Sequence, residues 1–161
     1  MALRSDLSGE ACPIARSVDI LGDPWVALIL REVFGGNRRF DGIVAGTGAA
    51  ESVVSSRLTM LVERGLLDKR PYDGQGRRRD EYVLTDAGAD TLPILHALAR
   101  WGNAHAPAPD PVRRMRVFCL TCGGEPPSAD WCPTCGRALT VETTGWRKAR
   151  TPEVLVRLAE V

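Results

Sequence analysis

Two cysteine pairs, Cys119-x-x-Cys122 and Cys132-x-x-Cys135, separated by the nine residues Gly123 to Trp131, constrain the last third of this chain more than any other feature. Four thiolates arranged in this way can surround one tetrahedral Zn²⁺, which forces four separate points of the chain to converge. Each pair is followed by glycine, Gly123-Gly124 and Gly136. A metal knuckle needs a tight turn there so that backbone N–H groups point at sulfur. Residues 112–161 hold few large apolar side chains, so the metal would be the core of that part. With no open coordination position the site reads as structural, and two reactive dithiols or a disulfide are the alternatives.

The chain has 161 residues, enough for one ordinary domain and a small appendage. The stretch Ala106-Pro107-Ala108-Pro109-Asp110-Pro111 reads as a linker, because its prolines cannot continue a helix. The expected division is therefore 1–105, a 106–111 linker, and a 112–161 zinc-ribbon-like module. At 44% hydrophobic and 25% charged residues the composition is that of a packed soluble protein. No apolar run is long enough to cross a bilayer, and Met1 to Glu10 lacks the apolar core of a signal peptide. The expectation is a cytoplasmic protein without a membrane partner, in which reduced cysteines serve as metal ligands or reactive groups. A net charge of +1 does not suit a protein that coats nucleic acid by bulk charge, so any DNA binding must come from local clusters.

Before the linker the pattern reads helix, helix, helix, helix, hairpin, helix. Pro13 opens a first helix that runs to Leu21 and closes at Gly22. Asp23-Pro24 starts a second, with Trp25, Leu28, Ile29 and Val33 on one stripe and Gly35-Gly36 at its end. A short third helix carries Phe40, Ile43 and Val44 and stops near Gly46. The fourth runs from about Ala50 to Glu63, with Val54, Leu58, Leu61 and Val62 on one side and Gly65 as its stop. Leu66 to Tyr72 and Asp80 to Leu84 flank Asp73-Gly74-Gln75-Gly76 and three arginines, which predicts a hairpin with a basic tip. Thr85 then caps a long final helix with Leu92, Leu95, Leu98 and Trp101, kinked or delayed by Pro93. The tail from Thr151, with Val154, Leu155 and Leu158, reads as a short amphipathic helix.

This succession predicts a mainly α winged helix-turn-helix with a β-hairpin wing, followed by the four-cysteine zinc ribbon. The fourth helix suits the major groove of double-stranded DNA, where Ser52, Ser55, Ser56 and Thr59 are short enough to let the backbone approach base edges. Arg57 lies on the flank of that face, to meet phosphate or to pack across the core edge. Arg77, Arg78 and Arg79 at the hairpin tip, with Arg38 and Arg39 before the third helix, are placed for phosphates or the minor groove. The face has no Lys, Arg, Asn or Gln for bidentate base reading, so shape readout is expected to contribute. A solvated basic turn and a polar helix surface are the bland alternatives.

Cys12-Pro13, Gly22-Asp23-Pro24-Trp25, Arg38-Arg39-Phe40, Arg57-Leu58, Gly65-Leu66-Leu67, Tyr82-Val83-Leu84-Thr85 with Gly88, and Trp101 together resemble the HxlR family of winged-helix regulators, relatives of the MarR group. The resemblance covers residues 11 to about 103. It implies a transcriptional regulator that is a homodimer through its N-terminal and final helices and binds a pseudo-palindromic operator. It also implies that the fourth helix is the recognition helix and the hairpin the wing. At the start of that helix this chain reads Ala50-Glu51-Ser52, a departure from the Ser-x-Lys stretch frequent in the family. In some members a cysteine at the place of Cys12 senses oxidants or electrophiles.

At a helix N-terminus Cys12 can be a reactive thiolate or simply a small buried residue. His96 and His105 read as packing or surface residues. The final helix is apolar on too many sides for one small domain, which favours a homodimer over packing within one subunit. The basic residues Arg113, Arg114, Arg116, Arg147, Lys148 and Arg150 can touch DNA or form a solvated surface. No nucleophile–base pair, phosphate loop or carboxylate pair supports an enzyme. Beside the regulator, the pattern leaves open thiol–disulfide exchange, a redox-sensing module, and a protein-interaction module, with a small molecule or oxidant as candidate effector.

Overall fold

A computed structural model describes residues 6–74, 77–106 and 108–158, and the side chains of residues 73, 74, 77 and 78 lie outside that description. Helix α1 (Pro13–Leu21) begins at its proline and ends where the Gly22 N–H donates to Val18. Helix α2 (Pro24–Phe34) is capped by the Asp23 carboxylate, which accepts from the Trp25 N–H at 2.9 Å. Helices α3 (Phe40–Thr47) and α4 (Glu51–Glu63) follow, and all four lie within a residue or two of their expected bounds. The core forms where their apolar stripes meet: Val26, Ile29, Leu30, Val33 and Phe34 of α2, Ile43 of α3, and Val54, Leu58 and Leu61 of α4 are all at most 1% exposed. The last three recur at helical spacing, which leaves the opposite side of α4 to solvent. Each contributes about 1.5–3 kcal/mol by burial, before the entropy of ordering is set against it.

Strands β1 (Leu67–Gly74) and β2 (Arg77–Leu84) pair antiparallel from Leu67↔Leu84 to Gly74↔Arg77. Both are longer than the sequence suggested, so the three arginines belong to β2 rather than to the turn. The chain before α3 adds to the hairpin: Arg39 bridges Glu81, and the Tyr82 N–H donates to the Arg38 carbonyl at 2.7 Å. This ties the start of α3 to the wing.

The single helix expected from Thr85 is two helices, α5 (Asp86–Ala89) and α6 (Leu92–His105). The Thr85 hydroxyl caps the first by accepting from the Gly88 N–H at 3.0 Å. Pro93 lacks an N–H and would clash with the preceding turn, so it is accommodated only in the first turn of a new helix.

Strands β3 (Arg116–Cys119), β6 (Thr144–Lys148) and β7 (Thr151–Arg157) form one antiparallel sheet in the order β3-β6-β7, and β4 (Trp131–Cys132) pairs with β5 (Arg137–Ala138). The amphipathic helix expected at the tail is therefore corrected to a strand. Lys148 pairs with Thr151 across a tight turn, which delivers Pro152 to Val156 alongside β6, where the ladder satisfies the backbone and suits the β-branched Val154 and Val156.

The Pro-rich stretch lies between α6 and β3, and the hydrophobic core continues past it. Val141, Trp146 and Leu158 join the same cluster as the helices, with Met115 and Val117 packed on it. Trp146 is fully buried, and its ring centroid lies 5.8 Å from that of Phe34 and 5.8 Å from that of His96. Its Nε1–H donates to His96 Nε2 at 2.9 Å, and His96 Nδ1 lies 2.7 Å from the Ala129 carbonyl. That pair of partners assigns the imidazole as the neutral tautomer protonated on Nδ1. No helix among the described residues is long and apolar enough to cross a membrane.

Candidate functional site

The solvent face of α4 presents Ser52, Ser55, Ser56 and Thr59 between Glu51 and Glu63. The Thr59 hydroxyl donates to the Ser55 carbonyl at 3.0 Å. Arg57 does not stand on this face. Its Nε and Nη2 donate to Asp23 Oδ2 at 2.8 and 2.7 Å, so it locks α4 to the capped end of α2. Its third contact, Nη1 to the Ser56 hydroxyl at 3.3 Å, also holds the side chain along the helix.

Arg39, at the N-cap of α3, stands against β2 of the wing, and Arg79 lies on β2 toward the tip. The Arg39 guanidinium lies 4.4 Å from the centroid of the Tyr72 ring, and Tyr72 stands opposite Arg79 in the ladder. Cation–π stacking of this kind restrains a long side chain without consuming its N–H donors. Arg39, Tyr72 and Arg79 border a groove of about 350 Å³ together with Phe40, Asp41, Asp80 and Tyr82. Arg38 is half-buried, with its carbonyl tied to the wing. Arg77 and Arg78 stand in register with Gly74 and Asp73, and their side chains lie outside the described residues.

The second constellation is Cys119, Cys122, Cys132 and Cys135, whose sulfurs all lie within 4.8 Å of one another. Cys119 and Cys135 are 3.5 Å apart, and Cys122 and Cys132 are 3.6 Å apart. Zn–S bonds of about 2.3 Å in a tetrahedron place sulfurs ~3.8 Å from each other, so the donor set fits such an ion. The two knuckles are alike: the Gly123 N–H donates to Cys119 O at 2.8 Å and the Gly136 N–H to Cys132 O at 2.9 Å. Both glycines have positive φ, 74° and 63°, the left-handed turn that a side chain resists.

Burial opposes ionisation of Cys119, but the N–H groups of Cys122 and Thr121, with hydrogen bonds from the Cys135 and Cys122 thiols, together bring it down to about 6. The N–H of Cys135 does most to lower Cys132. Burial, with the neighbouring sulfurs Cys119 and Cys132, pushes Cys135 up to about 12. The Gly124 N–H favours the Cys122 thiolate, yet Cys132, burial and Cys119 together raise its pKa. Cys119 and Cys132 are thus shifted toward the thiolate, and Cys122 and Cys135 are opposed by burial and by their neighbouring sulfurs. A cation at the centre removes that opposition.

A family model described as HxlR-like helix-turn-helix matches residues 20–110. This chain belongs to the HxlR family. Among its relatives, the uncharacterized HTH-type transcriptional regulator Rv3095 of Mycobacterium tuberculosis is 39% identical over 139 residues, 84% of this chain and 86% of the relative. That aligned stretch is longer than the part before the linker, so the similarity extends into the C-terminal region. The solved structure of PA1607, a candidate transcription factor, is 37% identical with a TM-score of 0.60, covering 66% of this chain and 73% of that one. PA1374 of Pseudomonas aeruginosa, also a candidate transcription factor, is 34% identical with a TM-score of 0.51, covering 81% and 88%. The HxlR chain is in this respect a helix-turn-helix transcriptional regulator.

Several side chains in the HxlR chain matter to the site through contacts that no local sequence pattern indicates. Tyr72 supports Arg39, Asp23 holds Arg57, and Trp146 joins the two parts of the chain. Asp23 and Trp146 lie far from their partners in sequence, so no local pattern links them. Cys12 is exposed at the N-cap of α1, and His105 is exposed at the end of α6. Among the described residues, the sulfurs of the two knuckle pairs are the group that could hold a metal ion.

Proposed function

We propose that the chain is a sequence-specific regulator that binds double-stranded DNA as a homodimer. In this reading α4 enters the major groove with Ser52, Ser55, Ser56 and Thr59 toward the bases. Arg38 and Arg39 meet phosphates, and Arg77, Arg78 and Arg79 follow the wing to the neighbouring backbone or minor groove. The observation that carries the reading is the hydroxyl-bearing solvent face of α4, in a chain whose wing carries Arg79 and is tied to Arg39 at the start of α3. Arg57 serves instead to position α4 through Asp23.

The dimer is supported by large apolar side chains left in solvent: Ile14 (72%) and Val18 (51%) on α1, with Ile94, Leu98 and Trp101 (63%) on α6. Both sets recur at helical spacing, so each helix presents one apolar stripe for a second subunit to cover. The four knuckle cysteines would hold Zn²⁺ in a structural role, since all four ligand positions come from the protein. Free-thiol titration before and after a chelator tests this part, because metal-held thiols react only once the ion is removed. A full complement of reactive thiols without chelator would exclude it.

The test of the main reading is fluorescence anisotropy with duplex from upstream of the chain's own gene against scrambled duplex, over a salt series. A preference of about a thousandfold or more at physiological salt is expected for a sequence-specific regulator. Equal, weak binding to every duplex tried from the genome would refute it.

A further inference from the structure

The recognition helix has no cation of its own to hold the phosphates at its N-terminal end. That end carries Glu51, and the one basic side chain of α4, Arg57, is engaged by Asp23. The wing carries its arginines on β2. The C-terminal module reaches the gap. Its β6–β7 turn lies on the helix-turn-helix, where Lys148 Nζ is 3.6 Å from the buried carboxylate of Glu32 on α2 and packs against Gly35. From the same turn, Arg150 Nη1 donates to the Gly46 carbonyl in the last turn of α3 at 3.2 Å. Gly46 lies five residues before Glu51, so this guanidinium stands at the turn that leads into α4.

The charges around Arg150 differ from those around its neighbours. Arg31 also donates to Gly46 O, at 3.1 Å, but is paired with Glu32 at 2.8 Å. Glu32 is in turn shared by Arg31, Lys148 and Asn37, and among the described residues it is the carboxylate of this cluster. Among the described residues Arg150 makes the one bond to Gly46 and no ion pair. It is exposed, so its remaining N–H donors face solvent. A carbonyl at a helix C-terminus orients a guanidinium but leaves its full charge for an anion.

We infer that the C-terminal module is part of the DNA interface, with Arg150 contacting a backbone phosphate beside the N-terminal end of α4. This rests on the DNA-binding reading above. Lys148 and Glu32 anchor the turn, and Gly46 aims the guanidinium. The contact is with phosphate, so it adds affinity for every duplex and sets the register of the module along the groove. The module then does more than complete the core: it lengthens the footprint past the recognition helix.

The experiment compares full-length wild type, Arg150→Ala and Arg150→Lys on random-sequence duplex over a salt series. One lost phosphate contact should lower the slope of log K against log salt by about 0.9 in Arg150→Ala and weaken binding several-fold at low salt, with the slope restored in Arg150→Lys. Metal content and melting temperature check that the variants fold. Phosphate-ethylation interference gives a second readout, in which a phosphate at the edge of the footprint matters to wild type and ceases to matter to Arg150→Ala. An unchanged slope and footprint in a folded Arg150→Ala would overturn this inference alone. A wild type that binds no duplex would overturn the DNA reading and this inference with it.

Discussion

His96 shows how much depends on a single protonation state. Burial is the main reason its pKa lies below the ordinary 6.5, partly offset by the bond to Ala129. As pH falls through 6.5 the unfolded chain takes up a proton that the folded imidazole resists, so stability is lost from there down to the folded-state value. Thermal melts of wild type and His96→Gln between about pH 7.5 and about 5.5 should show a steeper decline for wild type. Equal slopes would assign the pH dependence elsewhere. Trp146 is the other half of the pair. Trp146→Ala should cost about 3–5 kcal/mol in denaturant unfolding, because the cavity opens between Phe34 and His96. Trp146→Phe keeps most of the volume and leaves His96 Nε2 without its donor, so a loss of about 1 kcal/mol is expected. A full-sized loss in the Phe variant would mean that packing shape, not volume, dominates the site.

At the scale of elements, the wing acts through its connections. Because Arg39 bridges Glu81 and Tyr82 bonds Arg38, α3 and the hairpin form one rigid corner. Arg79 is carried on β2 beside the Tyr72 ring. Replacing it with alanine should weaken binding to specific and scrambled duplex alike and reduce the salt slope by about 0.9. A loss confined to specific duplex would instead assign Arg79 to base reading. The two-part ending of the helical region follows the same logic: Thr85 and Pro93 each start a helix, so the chain turns between them and sets the direction of α6.

For the molecule as a whole, the shared core decides how loss of the proposed metal would be felt. The His96–Ala129 bond reaches the segment between the two knuckles, and β3 pairs with β6, which carries Trp146 into the core. Cys122→Ser removes one ligand of the proposed metal, so it should lower both the metal content and the melting temperature of the entire chain in one transition, read by metal analysis and by circular dichroism of the helices. Two separated transitions, with the helical one unmoved, would show that the module can come away from the winged helix.

Much of this was legible in local patterns. Proline at helix starts, the stripe Val54, Leu58, Leu61, and the flanking strands of the hairpin are set by steric rules and by period, so the sequence shows them directly. The two knuckles are equally visible, because ligand spacing and the glycines after each pair are fixed by coordination geometry. In the tail Val154, Leu155 and Leu158 satisfy a helical spacing, and only pairing with β6 selects the strand. Arg57 had the right position for DNA and found Asp23, 34 residues away, which no local rule encodes. The linker composition likewise carries no sign that Trp146 is buried between Phe34 and His96, in the core of the helices. Sequence fixes what a segment prefers when its neighbours are near in the chain; partners brought together by folding decide between preferences that are nearly equal in energy.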